Sequence, residues 1–360
     1  MATALSLLLG SMHPTAHATR TIDPAVEGFL FDAFVPLSDE AIEAIEDIQE
    51  WLVETQRPDG SWTTPYGNNN AGVIGYALLA LMVSGDVPGE GKNARAIGLA
   101  TQFLMNSQRE IGLIMGADDS QAPMYQHGIA TLALAEVYGM TQNPRIREVL
   151  INAVNLTVDT QGPNGGWRYQ PRRDDGDTSA TVMQIMALRA AIEAGIHVPE
   201  QTIARAEAFI RACFIRDSGG FGYQDRKAPE PGRSAASLVS LQSLGHHNDP
   251  IIPKTVEYLM NTIMNRSNLN HMWYTHYYAS VGLYHFGGEQ WQTYYAFIKE
   301  HILSQEMTSF LDPSAPARRR TGGSRARRLH RERLERRVLD AAWVAMVLGV
   351  PYRYLPIYQR

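Results

Sequence analysis

A glycine-rich turn recurs along this chain at a nearly regular spacing, and this repeat constrains the fold more than any single residue. Three copies end in an aromatic residue: Gln-Arg-Pro-Asp-Gly-Ser-Trp at 56–62, Gln-Gly-Pro-Asn-Gly-Gly-Trp at 161–167 and Arg-Asp-Ser-Gly-Gly-Phe at 216–221. The position directly after the first helix of each repeat occurs six times along the chain, at intervals of 52, 53, 55, 49 and 40 residues. It is occupied by Gln56, Gln108, Gln161, Arg216, Asn265 and Gln305. Such a period is typical of stacked repeats that share one core.

Two kinds of helical segment alternate around these turns. The segments before the turns, such as 48–55 and 100–107, have apolar residues every three or four positions, which predicts helices buried on one face. The segments after them, such as 72–82 and 179–188, are apolar on all sides and rich in small residues, which predicts fully buried helices. Six such pairs predict an all-α (α/α)6 toroid, or barrel, with inner and outer helix rings and no strand longer than a residue or two.

The composition fits one toroid domain at residues 41–360, preceded by an N-terminal segment at 1–40. The chain has 360 residues, of which 44% are hydrophobic, and no apolar run reaches the roughly 18 residues of a membrane span. Residues 4–9 and 16–18 resemble a signal peptide with its cleavage site, but no basic residue precedes Arg20. Exported, periplasmic and cytoplasmic locations therefore all stay open. The lone Cys213 excludes an internal disulfide and is predicted to be a packed apolar residue.

The charge is concentrated in one block. Residues 316–337 contain ten Arg and two Glu, although the whole chain has a net charge of −5. An acidic body with one basic block is not by itself typical of a nucleic-acid-binding protein, and we expect no nucleic-acid partner. The block stands where the sixth turn is expected. It is either a genuine basic arm or the product of a compensated frameshift in the gene.

The two Gln…Trp turns, at 56–62 and 161–167, resemble the QW motifs of the terpenoid cyclase and protein prenyltransferase superfamily. Squalene-hopene cyclases and the prenyltransferase and squalene oxidase repeats belong to it, and the resemblance covers roughly residues 40–350. It implies an α/α toroid that processes or binds an isoprenoid or polyprenyl lipid in its central cavity. The implied reaction is acid-initiated cyclisation or isomerisation, with no cofactor and with peripheral membrane contact allowed.

The acid motif of that superfamily is incomplete here. Its cyclases carry Asp-x-Asp-Asp-Thr at the start of an inner helix, whereas residues 174–178 read Asp-Asp-Gly-Asp-Thr. Alignment on the final Asp-Thr places Gly176 where the proton donor belongs, so Asp175 and Asp177 are the candidate acids. The alternative for Asp177 is a helix N-cap. The Asp-x-Cys zinc ligands of the prenyltransferases are missing after the Phe221 turn, and we expect no metal.

A second group of candidates comes from aligning the inner helices on their Ala-Thr and Ala-Ser pairs. This alignment places four polar residues in one register near the helix starts, with Asn70 and Asp340 joining more loosely: His127, Asp177, Arg233 and His276. Helix N-termini that converge on one end of a toroid favour an anion. We therefore predict Arg233 as an anion contact, with His127 and His276 as acid–base partners. The alternative is that each residue merely caps its helix or faces water.

Aromatic residues cluster near the same end, at Tyr66, Tyr125, Tyr169, Tyr223, Trp273, Tyr274, Tyr277 and Tyr278. Of these, Tyr125, Tyr169, Trp273 and Tyr277 are predicted to line the binding site. Aromatic faces stabilise cations, and they also line apolar and sugar-binding pockets. Two other functions therefore stay open. One is a non-catalytic toroid module that binds lipid, glycan or protein, and the other is a polysaccharide-active α/α-barrel enzyme.

Overall fold

The computed structural model describes residues 37–64, 67–116, 121–224, 228–265, 269–304, 324–352 and 355. For 64, 67–68 and 324–336 it describes the backbone only. The helices that belong to the outer ring are α1 (Asp39–Thr55), α3 (Ala94–Asn106), α5 (Pro144–Asp159), α7 (Glu200–Ala212), α9 (Ile251–Ile263) and α11 (Gly288–Leu303). The helices of the inner ring are α2 (Ala71–Met82), α4 (Pro123–Thr141), α6 (Thr178–Glu193), α8 (Pro231–Ser243), α10 (Met272–Phe286) and α12 (Ser324–Gly349).

The inner helices form a closed ring. Each packs against the next along the chain, and α12 packs against both α10 and α2, which completes the circle. All twelve residues of α2 are buried, as predicted for a helix that is apolar on all sides. Two-residue strands, β1 (Thr63–Thr64) and β2 (Gly67–Asn68), pair before α2, and a short 3-10 turn, Val350–Tyr352, follows α12. The predicted all-α toroid is confirmed.

The outer helices bury one face only. In α1 the buried apolar residues are Ala41, Ile45, Ile48 and Leu52, at the three- and four-residue spacing of one helical face. Among the described helices, none is long and apolar enough to cross a membrane.

The glutamine of the repeated turn joins neighbouring outer helices. The side-chain amide of Gln161 donates to the carbonyl of Gly165 at 2.8 Å and to that of Thr202, in α7, at 2.9 Å. Gln56 and Gln108 each make an equivalent pair of bonds, one within their own turn and one to the next outer helix, which is α3 for Gln56 and α5 for Gln108. Each glutamine therefore closes its own turn and also holds the next repeat, which explains why this residue type recurs.

The turn glycine and the turn aromatic residue also serve packing. Gly165 has a φ of +91°, and a Cβ atom there would lie 2.3 Å from the carbonyl oxygen of Arg205 in the next outer helix. Trp167 is buried, and its indole N–H donates to the carbonyl of Thr157 at 2.7 Å. Trp62 and Phe221 are fully buried as well. These aromatic residues fill the space between the rings and are not exposed to a ligand.

Large side chains fill part of the space inside the inner ring. The rings of Tyr76 and Tyr277 meet edge to face with centroids 6.2 Å apart, and Tyr76 meets Trp343 in the same way at 5.3 Å. The Tyr278 hydroxyl lies 3.3 Å from the sulfur of Met183. Tyr277 is 1% exposed. The structure therefore places this predicted wall residue in the packed interior.

The sixth inner helix is longer than its sequence pattern suggests. α12 continues without a break from Ser324, inside the arginine-rich block, to Gly349. Asp340 consequently lies well within α12 and not at its N-terminus, so the register that grouped it with the helix starts does not hold there. The remainder of the block, before Ser324, and the expected sixth turn after Gln305 lie outside the described residues.

Candidate functional site

The N-termini of the inner helices meet at one end of the toroid, which we call the mouth. The backbone N–H of Met124 in α4 donates to the carbonyl of Tyr169, just before α6, at 3.1 Å. The backbone N–H of Thr178 in α6 donates to the carbonyl of Tyr223, just before α8, at 3.0 Å. These bonds bring the segment before each inner helix onto the start of the preceding inner helix. Side chains from three repeats therefore come together at the mouth.

Asp177 occupies the N-cap of α6. One carboxylate oxygen, Oδ1, accepts from the backbone N–H of Ala180 at 2.9 Å, as expected for an aspartate at this position. The residue is fully buried, and no hydrogen-bond partner lies within bonding distance of its Oδ2 among the described residues. Burial raises the pKa of the Asp177 carboxyl, with opposition from the Ala180 N–H and the nearby Tyr223 hydroxyl. Both the predicted N-cap role and a perturbed carboxyl are therefore present in one residue.

Four tyrosines surround this carboxyl, and we call them the tyrosine cluster: Tyr125, Tyr169, Tyr223 and Tyr274. The rings of Tyr125 and Tyr169 stack with centroids 6.0 Å apart, and the hydroxyls of Tyr169 and Tyr223 are in direct contact. Burial raises the pKa of Tyr125, Tyr223 and Tyr274, and the Asp177 charge adds to each shift. These phenols are consequently neutral donors and acceptors at ordinary pH.

Two arginines border the tyrosine cluster. The guanidinium of Arg168 lies 5.5 Å from the ring centroid of Tyr169, and that of Arg233 lies 5.6 Å from the ring centroid of Tyr223. Both distances allow a cation–π contact. The buried Nε of Arg233 has no hydrogen-bond partner within the described part of the chain. The structure therefore brings the predicted contact residue Arg233 to the mouth, together with Tyr125, Tyr169 and Asp177.

A second carboxylate, that of Glu230, approaches the same cluster. It caps α8 by accepting from the backbone N–H of Arg233 at 3.0 Å. Its charge contributes to the raised pKa of Tyr274, as does that of Asp177. The Tyr274 hydroxyl is buried and has no hydrogen-bond partner among the described residues. The mouth thus contains two carboxyl groups around a phenol that is free to bind.

Asp175 lies in the loop that leads into α6 and, unlike Asp177, is exposed. The neighbouring Gly176 donates its backbone N–H to the side chain of Asn164 at 3.0 Å, which pins the loop against the glycine-rich turn. A Cβ atom on Gly176 would lie 2.5 Å from the backbone of Gly166 and Trp167. Glycine at this position is therefore required by close packing. Asp175 is exposed on the rim of the mouth, near the turn.

His127 is a buried link between the two rings. Its Nδ1 lies 3.1 Å from the backbone N of Ile114 and accepts that hydrogen, and its Nε2 lies 3.0 Å from the hydroxyl of Thr157. These contacts assign the ring hydrogen to Nε2. Burial lowers the pKa of His127 to about 4, so the ring is neutral at ordinary pH. The structure does not bring this predicted acid–base partner to Asp177.

His276 also faces the outer ring. Its Nδ1 lies 2.9 Å from the hydroxyl of Tyr294 in α11, and burial lowers its pKa to about 4. Trp273 is 6% exposed, with its ring centroid 6.2 Å from that of His276. Asn70 caps α2 by accepting from the N–H groups of Gly72 and Val73. The predicted His276 and Trp273 contacts are therefore not part of the tyrosine cluster.

The aromatic cluster predicted from the sequence included Tyr223 and Tyr274, although the predicted lining residues did not, whereas Arg168 and Glu230 were left out. Tyr169 and Tyr223 each lie two residues after the turn aromatic, Trp167 or Phe221, so the turns also place these two tyrosines in one register. No three His, Cys, Asp or Glu side chains of the described ranges are arranged to hold a metal ion.

Comparisons with known proteins find similarity in structure only. No family model matches the chain, and no curated protein matches it. One similar solved structure is the α-1,6-mannanase GH76A of Salegentibacter sp. HEL1_6, an inactive variant with two adjacent aspartates replaced by asparagine, in complex with α-1,6-mannotriose. It has a TM-score of 0.60 and 9% identity over 87% of this chain and 100% of the other. A variant of the same enzyme with alanine at those positions, in complex with α-1,6-mannotetrose, has a TM-score of 0.59, with the same identity and coverage.

These neighbours overturn the assignment to the terpenoid cyclases. The two structures reported above are of an α-1,6-mannanase with the α/α-toroid fold, so the resemblance of the QW-like turns to the terpenoid cyclase superfamily was misleading. The isoprenoid substrate and the cyclisation or isomerisation reaction are wrong with it. The physical reason is that the Gln…Gly…Trp turn joins outer helices in a toroid, and this packing role carries no information about the reaction.

Proposed function

We propose that this protein acts on a polysaccharide, which it binds across the mouth of the toroid and hydrolyses with Asp177 as the proton donor. The observation that carries the proposal is the buried Asp177 carboxyl, whose pKa is raised and whose Oδ2 is free, beneath the tyrosine cluster. A general acid in glycoside hydrolysis needs a carboxyl whose pKa is raised, and burial is the usual means. The reported binding of mannan oligosaccharides by the structural neighbours supports this substrate class.

The tyrosine cluster suits a neutral sugar chain. Tyrosine rings offer apolar faces to the C–H surfaces of a sugar, and their hydroxyls exchange hydrogen bonds with sugar hydroxyls. The Tyr274 hydroxyl and the Arg233 Nε are both unpartnered here among the described residues, and they supply two directional contacts. A ligand that satisfied them would recover the cost of burying polar atoms without partners.

Hydrolysis needs a second carboxylate. In the proposed reaction Asp177 donates its proton to the glycosidic oxygen as the bond to the anomeric carbon breaks. A water molecule attacks that carbon, and a carboxylate accepts a proton from the water. Asp175 and Glu230 are the candidates for this role, since Asp175 is exposed at the rim and Glu230 faces the cluster.

Access to Asp177 requires a movement. The carboxyl has no exposed surface, and the Tyr223 hydroxyl, which touches that of Tyr169, lies close to it. We therefore propose that the bound sugar parts these two side chains. The same enclosure favours a second function, a non-catalytic glycan-binding module in which Asp177 only caps α6.

The test uses α-1,6-mannotriose and α-1,6-mannotetrose as ligands, with an α-1,4-linked glucan as the comparison. Calorimetry measures binding and product chromatography measures cleavage, for the wild type and for Asp177→Asn, Asp175→Asn, Glu230→Gln and Tyr125→Ala. Cleavage lost in Asp177→Asn, with binding retained, supports the hydrolase. Binding that Tyr125→Ala weakens, without cleavage, supports the module. Absence of binding to every glycan would refute both.

A further inference from the structure

A cationic cavity lies on the outer ring, and none of its lining residues belongs to the tyrosine cluster or its carboxyl groups. It has a volume of about 270 Å³ and lies between the C-terminal end of α1, the turn that follows it, and the N-terminal end of α3. Its lining includes three exposed cationic side chains, those of Arg57, Lys92 and Arg95, and no carboxylate. Asp59 and Asp86 are nearby. Asp59 forms an ion pair with Arg57 at 3.9 Å, and Asp86 accepts from the backbone N–H of Asn93 at 3.1 Å.

Asn93 is the unusual residue of this cavity. It occupies the N-cap position of α3 and lines the cavity, yet its side chain makes no capping hydrogen bond. It is 2% exposed, and neither its Oδ1 nor its Nδ2 has a hydrogen-bond partner among the described residues. In contrast, Asn143 at the start of α5 accepts from the N–H of Arg145 at 2.9 Å. A buried amide without a partner costs free energy that a ligand would recover.

We propose that this cavity binds a tetrahedral oxyanion, a phosphate or sulfate group, either free or carried on a small molecule. The first-turn N–H groups of α3 lack a side-chain acceptor, and the partial positive charge of a helix N-terminus favours an anion. Lys92 and Arg95 flank that N-terminus, Arg57 lines the cavity from the turn after α1, and the Nδ2 of Asn93 is a further donor. The Gln56 amide, already bonded to Gly60 and Ala96, holds the cavity walls together.

A matched control exists elsewhere in the ring. Arg216 and Lys254 line two adjoining cavities beside the start of α9 and are exposed, as Lys92 and Arg95 are. One of those cavities also contains the carboxylates of Asp217 and Glu257, which oppose an anion. Removing two cations there changes the net charge equally but leaves the cavity near Asn93 intact.

The experiment is calorimetric titration of the full chain with inorganic phosphate, inorganic sulfate and a hexose 6-phosphate, at constant ionic strength in chloride. We expect the Lys92→Ala/Arg95→Ala double variant to bind at least about tenfold more weakly than the wild type, because two charge-assisted contacts are lost. The Arg216→Ala/Lys254→Ala variant should bind like the wild type. Tighter binding of the hexose phosphate would identify a monoester, and equal binding would identify the free ion.

The Asn93→Ala variant tests the amide separately. It should weaken binding without lowering the melting temperature, because the side chain has no hydrogen bond to lose. The proposal is overturned if the wild type binds none of the three anions, or if both double variants weaken binding equally. The latter result would mean that the affinity follows net charge alone. Neither result bears on the glycan site, which lies at the mouth.

Discussion

The backbone N–H of Trp167 donates to the hydroxyl of Thr181 at 2.9 Å, which ties the glycine-rich turn to the first turn of its inner helix. Phe221 makes the same bond to Ser234 at 2.8 Å. Ile114 donates to the ring of His127 at 3.1 Å, over the same distance in sequence as the Phe221 bond. His127 is therefore the structural counterpart of Thr181 and Ser234. Its role in the fold is to fix the preceding turn against the inner helix by accepting a backbone hydrogen bond.

This role of His127 predicts how stability depends on pH. The pKa of His127 is lowered from its ordinary value of 6.5 to about 4, so the unfolded chain binds a proton between these values and the native chain does not. Stability from this residue is complete above the upper value and is lost as pH falls, by at most about 3 kcal/mol. Denaturant unfolding at several pH values across this range gives the free energy of unfolding as a function of pH. This free energy should change less with pH in His127→Gln than in the wild type. An equal pH dependence in the two proteins would contradict the burial of a neutral ring.

Gly176 should tolerate no side chain. A Cβ atom there would meet the backbone of Gly166 and Trp167 at 2.5 Å, whereas a Cβ atom on Gly98, in the exposed part of α3, would meet nothing within 4 Å. Gly176→Ala should therefore destabilise the fold by about 2 kcal/mol or more. Gly98→Ala should stabilise it by up to about 1 kcal/mol, because alanine favours a helix. Melting temperatures of the two variants give the comparison, and equal changes would refute the packing argument.

The glutamine of the turn should contribute more to the free energy of unfolding than a glutamine on the surface does. Gln161→Ala removes two buried hydrogen bonds, to Gly165 and Thr202, and leaves two buried carbonyls without this donor. We expect a loss of about 2 kcal/mol in unfolding free energy. Gln102→Ala removes one exposed bond to Asn106 and should cost less than about 0.5 kcal/mol. Similar losses in the two variants would show that the turn does not join the repeats.

The raised pKa of Asp177 predicts that its contribution to stability changes with pH in the opposite direction to that of His127. Because burial raises the pKa of the folded carboxyl above its ordinary value, the native state retains the proton longer than the unfolded chain. This contribution to stability is lost as pH rises through the folded pKa. Asp177→Asn keeps an N-cap acceptor and removes the charge, so the variant should gain stability relative to the wild type towards neutral pH. A melting-temperature difference that is constant with pH would exclude a raised pKa.

The site was only partly predictable from the sequence, because a single alignment of the inner helices was used to compare the polar residues of all repeats. Aligning the Ala-Thr and Ala-Ser pairs matched His127 and His276 with Asp177, whereas the hydrogen bonds match His127 with Thr181, one helical turn further along. A shift of one turn is invisible in a hydrophobic pattern, because residues four apart share a helix face. The pattern therefore identified the inner helices and brought Asp177 and Arg233 to the mouth correctly, but it misassigned His127 and His276 to that end.

The alternation of half-buried and fully buried helices, the glutamine turns and the glycines were enough to predict the toroid, because these depend on local periodicity and on backbone conformation. The position of each polar side chain depends on loop length and on contacts between repeats about 40 residues apart, such as that of Gln161 with Thr202. Only the tertiary structure placed Arg168 and Glu230 beside the tyrosine cluster and turned His127 and His276 towards the outer ring. Burial, which the sequence alone does not specify for a single carboxyl, then determined that Asp177 is the perturbed group.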